Sequence, residues 1–116
     1  AMNPFKFAIQ GIYEAIRTQL NMKIHAVAMV AVIIAGFYFR INSGEWIAII
    51  LCIGVVLTAE LINTAIEYIV DFISPDHHVM AGKIKDLAAG AVLVISIAAA
   101  IIGTIIFLPK CMALFN

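Results

Sequence analysis

Hydrophobic and polar positions recur with a helical period along most of the chain and divide it into four segments. Asn3-Pro4 reads as a helix start, a capping residue followed by proline at the first helical position. At about 100° per residue, Phe5, Ala8, Ile9, Ile12, Ile16 and Leu20 collect on one face, and Lys6, Gln10, Glu14, Arg17 and Asn21 on the other. This spacing predicts an amphipathic helix over about residues 4–21. It is too polar to cross a bilayer and suits either the membrane interface, apolar face down, or the flank of its own bundle.

Three longer apolar runs follow. Ile24 to Phe39 lies between Lys23 and Arg40, is interrupted only by His25, and ends on the aromatic triplet Phe37-Tyr38-Phe39, which suits a membrane boundary. A first span is predicted at about 24–40. The turn Ile41 to Glu45 is short enough to make the next helix antiparallel, with Trp46 re-entering at the same interface. The second span is predicted at about 46–73, ending before Ser74-Pro75, because proline disfavours helical geometry in the residue before it. A loop of about a dozen residues carries His77, His78, Lys83, Lys85 and Asp86, and a third span is predicted at about 87–108, closed by Pro109-Lys110. Ala88, Ala89, Gly90 and Ala91, and later Ala98, Ala99, Ala100 and Gly103, either permit close helix approach in lipid or simply reflect composition. Three spans make a thin bundle, so a homo-oligomer is expected.

Composition narrows the function. The 116 residues are 65% hydrophobic and only 12% charged, far from the balance of a water-soluble globule. Seven basic residues offset seven acidic ones, leaving no basic face for nucleic acid. Cys52 and Cys111 lack zinc or redox spacing and read as small membrane hydrophobes rather than a disulfide. Asn3 to Asn21 has no uninterrupted apolar run, so no cleavable signal peptide is expected there. Lys6, Arg17, Lys23, Lys83 and Lys85 fall on one side of the predicted spans, with Arg40 and Lys110 on the other. That bias places the N-terminus and the second loop in the cytoplasm of a multi-pass cell-membrane protein.

The second span contains Glu60, Asn63, Glu67 and Asp71. Carboxylates at membrane depth cost at least a few kcal/mol each and by default mark a functional site. Taking Glu60 as zero, the other three fall near 300°, 340° and 20°, so all four share about 80° of helix surface. Measured from Trp46 at 1.5 Å per residue, Glu60 is about 21 Å in, past the midplane, and Glu67 about 32 Å in, at the cytoplasmic edge. The alternative is a set of carboxylates neutralised inside a structural bundle.

Depth separates two function classes. A proton-coupled transporter or channel subunit places its essential carboxylate near the midplane. An enzyme joining a lipid head group to a soluble cosubstrate places carboxylates at the boundary, which fits this stripe better. Lys83 and Lys85 could hold phosphates there, beside the surface helix with Arg17 and Gln19. Paired carboxylates near lysines suggest Mg2+ on a polyphosphate, and phosphoryl transfer to a lipid alcohol. The loops GxxxxGK[ST], GxGxxG and GxSxG are all missing, so no familiar soluble kinase or hydrolase fold is expected. Adjacent His77 and His78 read more naturally as a solvated pair than as metal ligands, and His25 as a hydrogen-bonded interfacial side chain.

The run Glu60-Leu61-Ile62-Asn63-Thr64-Ala65-Ile66-Glu67-Tyr68-Ile69-Val70-Asp71 resembles the signature of the prokaryotic diacylglycerol kinase family, E-x-x-N-[ST]-[SA]-[IV]-E-x-x-V-D, at every fixed position. The resemblance continues through His78, Gly82 and Lys85-Asp86, and through Asn21-Met22-Lys23-Ile24-His25, to about Lys110. Asn21 to His25 and Ala59 to Glu67 look more like the Gram-positive undecaprenol kinase branch than the Gram-negative diacylglycerol kinases.

The resemblance implies an all-α integral-membrane homotrimer with a surface helix, three spans per subunit and active sites shared between subunits at the cytoplasmic surface. It implies ATP as cosubstrate, Mg2+ as cofactor, and undecaprenol, or alternatively diacylglycerol, as lipid substrate. Carried over by position, Glu60 is the general base and Asn63 shapes its site. Glu67 and Gln19 fall at the metal positions, and Phe7, Gln19, Glu67, Asp76, His77, His78, Lys85 and Asp86 at nucleotide positions. Asn21, Lys23, Glu60 and Ala89 fall at lipid positions. One departure stands out: the family usually has Glu-Arg where this chain has Gln19-Leu20. A neutral amide replaces the second metal carboxylate, so weaker metal affinity or a lower rate is expected.

Overall fold

The computed structural model describes residues 3–116, which form four helices: α1 (Pro4–Thr18), α2 (Leu20–Tyr38), α3 (Ser43–Ile73) and α4 (Val79–Ala113). The last three are long and apolar enough to cross a membrane. Asn3 starts α1 as expected, its side chain accepting from Phe5 N at 3.0 Å with Pro4 in the first turn. The apolar side of α1 is left open, with Phe5 77% and Ile9 65% exposed, as an interfacial helix requires. Only Ala15 is buried.

Four boundaries differ from the expectation. The surface helix ends at Thr18 and α2 begins at Leu20, so the break falls on Gln19, whose extended backbone (φ −106°, ψ 119°) ends one helix and starts the next. Asn21 and Lys23 therefore ride on the first turn of the first span. The second span starts at Ser43, ahead of Trp46, because Asn42 and Glu45 form a capping box: Glu45 N donates to Asn42 Oδ1 at 2.8 Å and Asn42 N to Glu45 Oε1 at 3.1 Å. The loop expected over 74–86 shrinks to residues 74–78, because His78 Nδ1 accepts from Met80 N at 3.1 Å and starts α4 there. Lys83, Lys85 and Asp86 thus lie on a helix that protrudes past its apolar run. At the other end Pro109 does not stop α4. It removes one backbone donor, and the helix continues for another turn to Ala113.

Gly36 lets α2 and α3 meet closely at their shared turn: a Cβ there would lie 2.6 Å from Trp46 Cη2. Arg40 takes the left-handed conformation (φ 52°) that ends α2, and Ile41 N returns to Gly36 O at 3.2 Å. The apolar core gathers at this end, around Ile41, Ile49 and Ile106 with Val32, Trp46 and Ile102 beside them. Glu45 and Lys110 pair at 2.8 Å there, tying α3 to α4. α3 is the most buried of the three spans.

Candidate active site

The buried face of α3 changes character along its length. Ile49 and Val56 are buried towards the core end, and Glu60, Asn63 and Thr64 continue the same face towards the other, with Val70 beyond them. The carboxylate stripe is therefore the inward continuation of the helix's packing face. Glu60 is 2% exposed and Asn63 7%. Thr64 donates back to Glu60 O at 3.0 Å, whereas Glu60 Oε1 and Asn63 Oδ1 are enclosed without a hydrogen-bond partner among the described residues. Enclosed oxygens of this kind are costly unless something polar meets them. Glu67 follows two helical turns further along α3.

Glu67 is half-buried, and no basic side chain pairs with it among the described residues. Tyr68 beside it donates to Glu14 Oε1 of α1 at 3.3 Å, and Thr18 Oγ1 lies 3.4 Å from the same phenol oxygen. Thr18 immediately precedes Gln19, so this contact brings the hinge at Gln19 to the level of Glu67. Gln19 Nε2 reaches back to Thr18 Oγ1 at 3.5 Å. Glu14 is held below its ordinary value of 4.5, chiefly by the hydrogen bond from Arg17 at 3.0 Å, which outweighs the opposing desolvation, with smaller help from Arg17's charge and the Tyr68 hydroxyl.

The remaining expected residues divide into two groups. Asp71 is paired with Lys85 Nζ across α3 and α4, so the outermost carboxylate of the stripe is neutralised by the lysine that the resemblance assigns to phosphate. Asp86 lies with Lys83, Leu87 and Gly90 along an open groove of α4. Asp76, His77 and His78 are exposed in the short connection, and His78 is engaged as the cap of α4. Phe7, Asn21, Lys23 and Ala89 are exposed on three different helices, so a single chain does not gather them around Glu60.

Among the described residues no three metal-ligating His, Cys, Asp or Glu side chains come together. Glu67 offers one carboxylate, and Gln19, next in sequence to the Thr18–Tyr68 contact, one amide carbonyl. That donor set suits Mg2+, which binds through one or two protein oxygens and completes its shell with phosphate and water. Sequence reasoning missed Tyr68, whose position in the motif is a variable one, and the Glu45–Lys110 pair, whose partners lie 65 residues apart.

The profile of the family described as prokaryotic diacylglycerol kinase matches residues 6–107 of this chain. Undecaprenol kinase of Bacillus subtilis is 48% identical to it over 106 residues, covering 91% of this chain and 86% of that protein. Diacylglycerol kinase of Synechocystis is 38% identical over 111 residues, or 95% of this chain and 63% of the relative. Diacylglycerol kinase of Escherichia coli is 25% identical over 95 residues, 82% and 78% of the two chains.

Proposed function

This chain belongs to the prokaryotic diacylglycerol kinase family, and we propose that it transfers the γ-phosphate of ATP to the hydroxyl of undecaprenol at the cytoplasmic face of the cell membrane. Lipid phosphorylation is the family's chemistry, which selects the kinase over the transporter reading of the stripe. The choice of undecaprenol over diacylglycerol is supported by 48% identity to an undecaprenol kinase, against 38% and 25% to the two diacylglycerol kinases.

The observation that carries the mechanism is the pair of enclosed, unpartnered oxygens at Glu60 and Asn63. A carboxylate walled off from water accepts a proton from a lipid alcohol without competition from solvent. Glu60 Oε1 takes the hydroxyl proton and the alcohol oxygen attacks the γ-phosphorus. The bond from that phosphorus to the bridging oxygen breaks, and ADP leaves with its electron pair. Asn63 holds the acceptor beside Glu60. Glu67, at the edge of the stripe, and the Gln19 carbonyl would hold Mg2+, which when bound neutralises phosphate charge. Lys85 would contact phosphate, exchanging its partner Asp71 for the nucleotide, with Phe7, Asp76, His77, His78 and Asp86 around it. Asn21, Lys23 and Ala89 would border the lipid.

These groups lie on several faces of a slab 57 × 41 × 21 Å. A homotrimer in which neighbouring subunits complete each site accounts for their dispersal. The test is transfer of labelled γ-phosphate to undecaprenol by purified protein in lipid. Mg2+-dependent transfer that Glu60→Gln abolishes is expected, and an absence of transfer at any Mg2+ concentration contradicts the reading.

A further inference from the structure

Ser96 stands midway along α4 in a run of aliphatic and small residues. A hydroxyl in such a helix ordinarily donates to the carbonyl one turn back, as Thr64 does to Glu60 O at 3.0 Å and Thr104 to Ala100 O at 2.7 Å. Ser96 does not: its Oγ is enclosed and has no partner among the described residues. A buried hydroxyl left in this state costs free energy that a bound polar group would recover.

Two ion pairs fix its depth. Asp71–Lys85 and Glu45–Lys110 pin opposite ends of the antiparallel α3–α4 pair. Ser96 lies as many residues from Lys85 as Glu60 lies from Asp71, and counting from the other pair gives its neighbour Ile95. Ser96 is therefore level with Glu60. His25 of α2 joins Ser96 in lining a cavity of about 250 Å³ among α2, α3 and α4. From this polar end the cavity runs between apolar walls, past Met29, Ile53 and Ala100 to Gly103. Its length along α3, from Leu57 to Ile49, is about 12 Å at 1.5 Å per residue.

We propose that this cavity is the acceptor's slot, with Ser96 holding the lipid hydroxyl level with Glu60 and the adjoining hydrocarbon segment lying along the apolar walls. The inference rests on the lipid-alcohol kinase reading and adds to it a positioning residue and a basis for substrate choice. Ser96 donates to the alcohol oxygen, leaving the alcohol's own proton free for Glu60. The slot takes a segment of one chain. A single-chain polyprenol enters it directly, whereas a two-chain diacylglycerol must leave one chain outside.

The experiment compares Ser96→Ala and Ser96→Thr for KM towards undecaprenol and towards ATP. Ser96→Ala is expected to raise the undecaprenol KM about 5-fold, the loss of one hydrogen bond, with the ATP KM unchanged. Ser96→Thr, which keeps the hydroxyl, is expected to restore it. A second readout needs no turnover: a polyprenol carrying a diazirine on the isoprene next to its hydroxyl is irradiated with the protein without nucleotide. Adducts are expected on peptides containing Met29, Ile53 or Ala100, and Ala99→Leu, which narrows the slot, should reduce them. Adducts only outside the cavity, or an undecaprenol KM unmoved by Ser96→Ala in an active enzyme, overturns the slot and leaves the kinase reading standing. Cavity adducts from a protein that transfers no phosphate would support the slot as a lipid-alcohol site and remove the kinase reading instead.

Discussion

Tyr68 of α3 donates its phenol hydrogen to Glu14 of α1 at 3.3 Å, fastening the surface helix to the turn of α3 that also carries Glu67. The other oxygen of Glu14 accepts from Arg17 within α1 at 3.0 Å. The carboxyl is kept below its ordinary value of 4.5, first by the Arg17 hydrogen bond and with help from Tyr68. A lowered carboxyl stabilises the docked state in full above its undocked value, and that contribution is lost as pH falls through the lowered one. Protection factors along α1, which take out the intrinsic slowing of amide exchange in acid, should therefore fall as the pH drops below about 4.5. Tyr68→Phe should speed α1 exchange already at pH 7 and raise the ATP KM several-fold, since Gln19 adjoins this contact. Unchanged exchange in that variant would mean that α1 is held elsewhere.

Gly36 faces the Trp46 indole with no room for a side chain. Gly36→Ala forces the indole or the α2–α3 turn to move, which costs on the order of 1–3 kcal/mol. Thermal unfolding in detergent should show a lower midpoint, while the residual enzyme keeps its KM for ATP because the turn lies at the core end, away from Glu60. A wild-type midpoint would show that Trp46 swings away freely.

Glu60 and Glu67 are chemically alike but are assigned different work. Glu60→Gln should lower kcat by at least about 100-fold, the scale of general-base catalysis, with nucleotide affinity nearly unchanged. Glu67→Gln should weaken Mg2+-dependent nucleotide binding as well as turnover. Equal, small effects from both would undo the assignment.

Gln19 falls where the resemblance leads us to expect a carboxylate, and its extended backbone is the break between α1 and α2. Gln19→Glu adds a charge at the level of Glu67 and should lower the Mg2+ concentration for half-maximal rate several-fold. A Mg2+ titration superimposable on wild type would show that residue 19 lies outside the metal's shell.

What the sequence revealed followed from periodicity. The three apolar runs and the stripe Glu60, Asn63, Glu67 repeat at helical intervals, which assigns their faces from sequence alone, and α3 does bury Glu60 and Asn63. Boundaries set by single side chains escaped: the His78 cap brings α4 forward to Val79, and the capping box at Asn42 brings α3 forward to Ser43. Contacts across long sequence separations escaped for a different reason. Nothing local to Glu14 or Tyr68 foretells a bond between residues 54 apart. Ser96 is a lone polar residue without a periodic partner, and only the register of α3 against α4 gives it meaning.

The most direct measurement is phosphate transfer from labelled ATP with undecaprenol and diacylglycerol competing in the same lipid vesicles, with and without Mg2+. The account predicts Mg2+-dependent labelling in which kcat/KM for undecaprenol exceeds that for diacylglycerol by 10-fold or more, about 1.4 kcal/mol of discrimination. Labelling of diacylglycerol in preference, or of neither lipid, would contradict it.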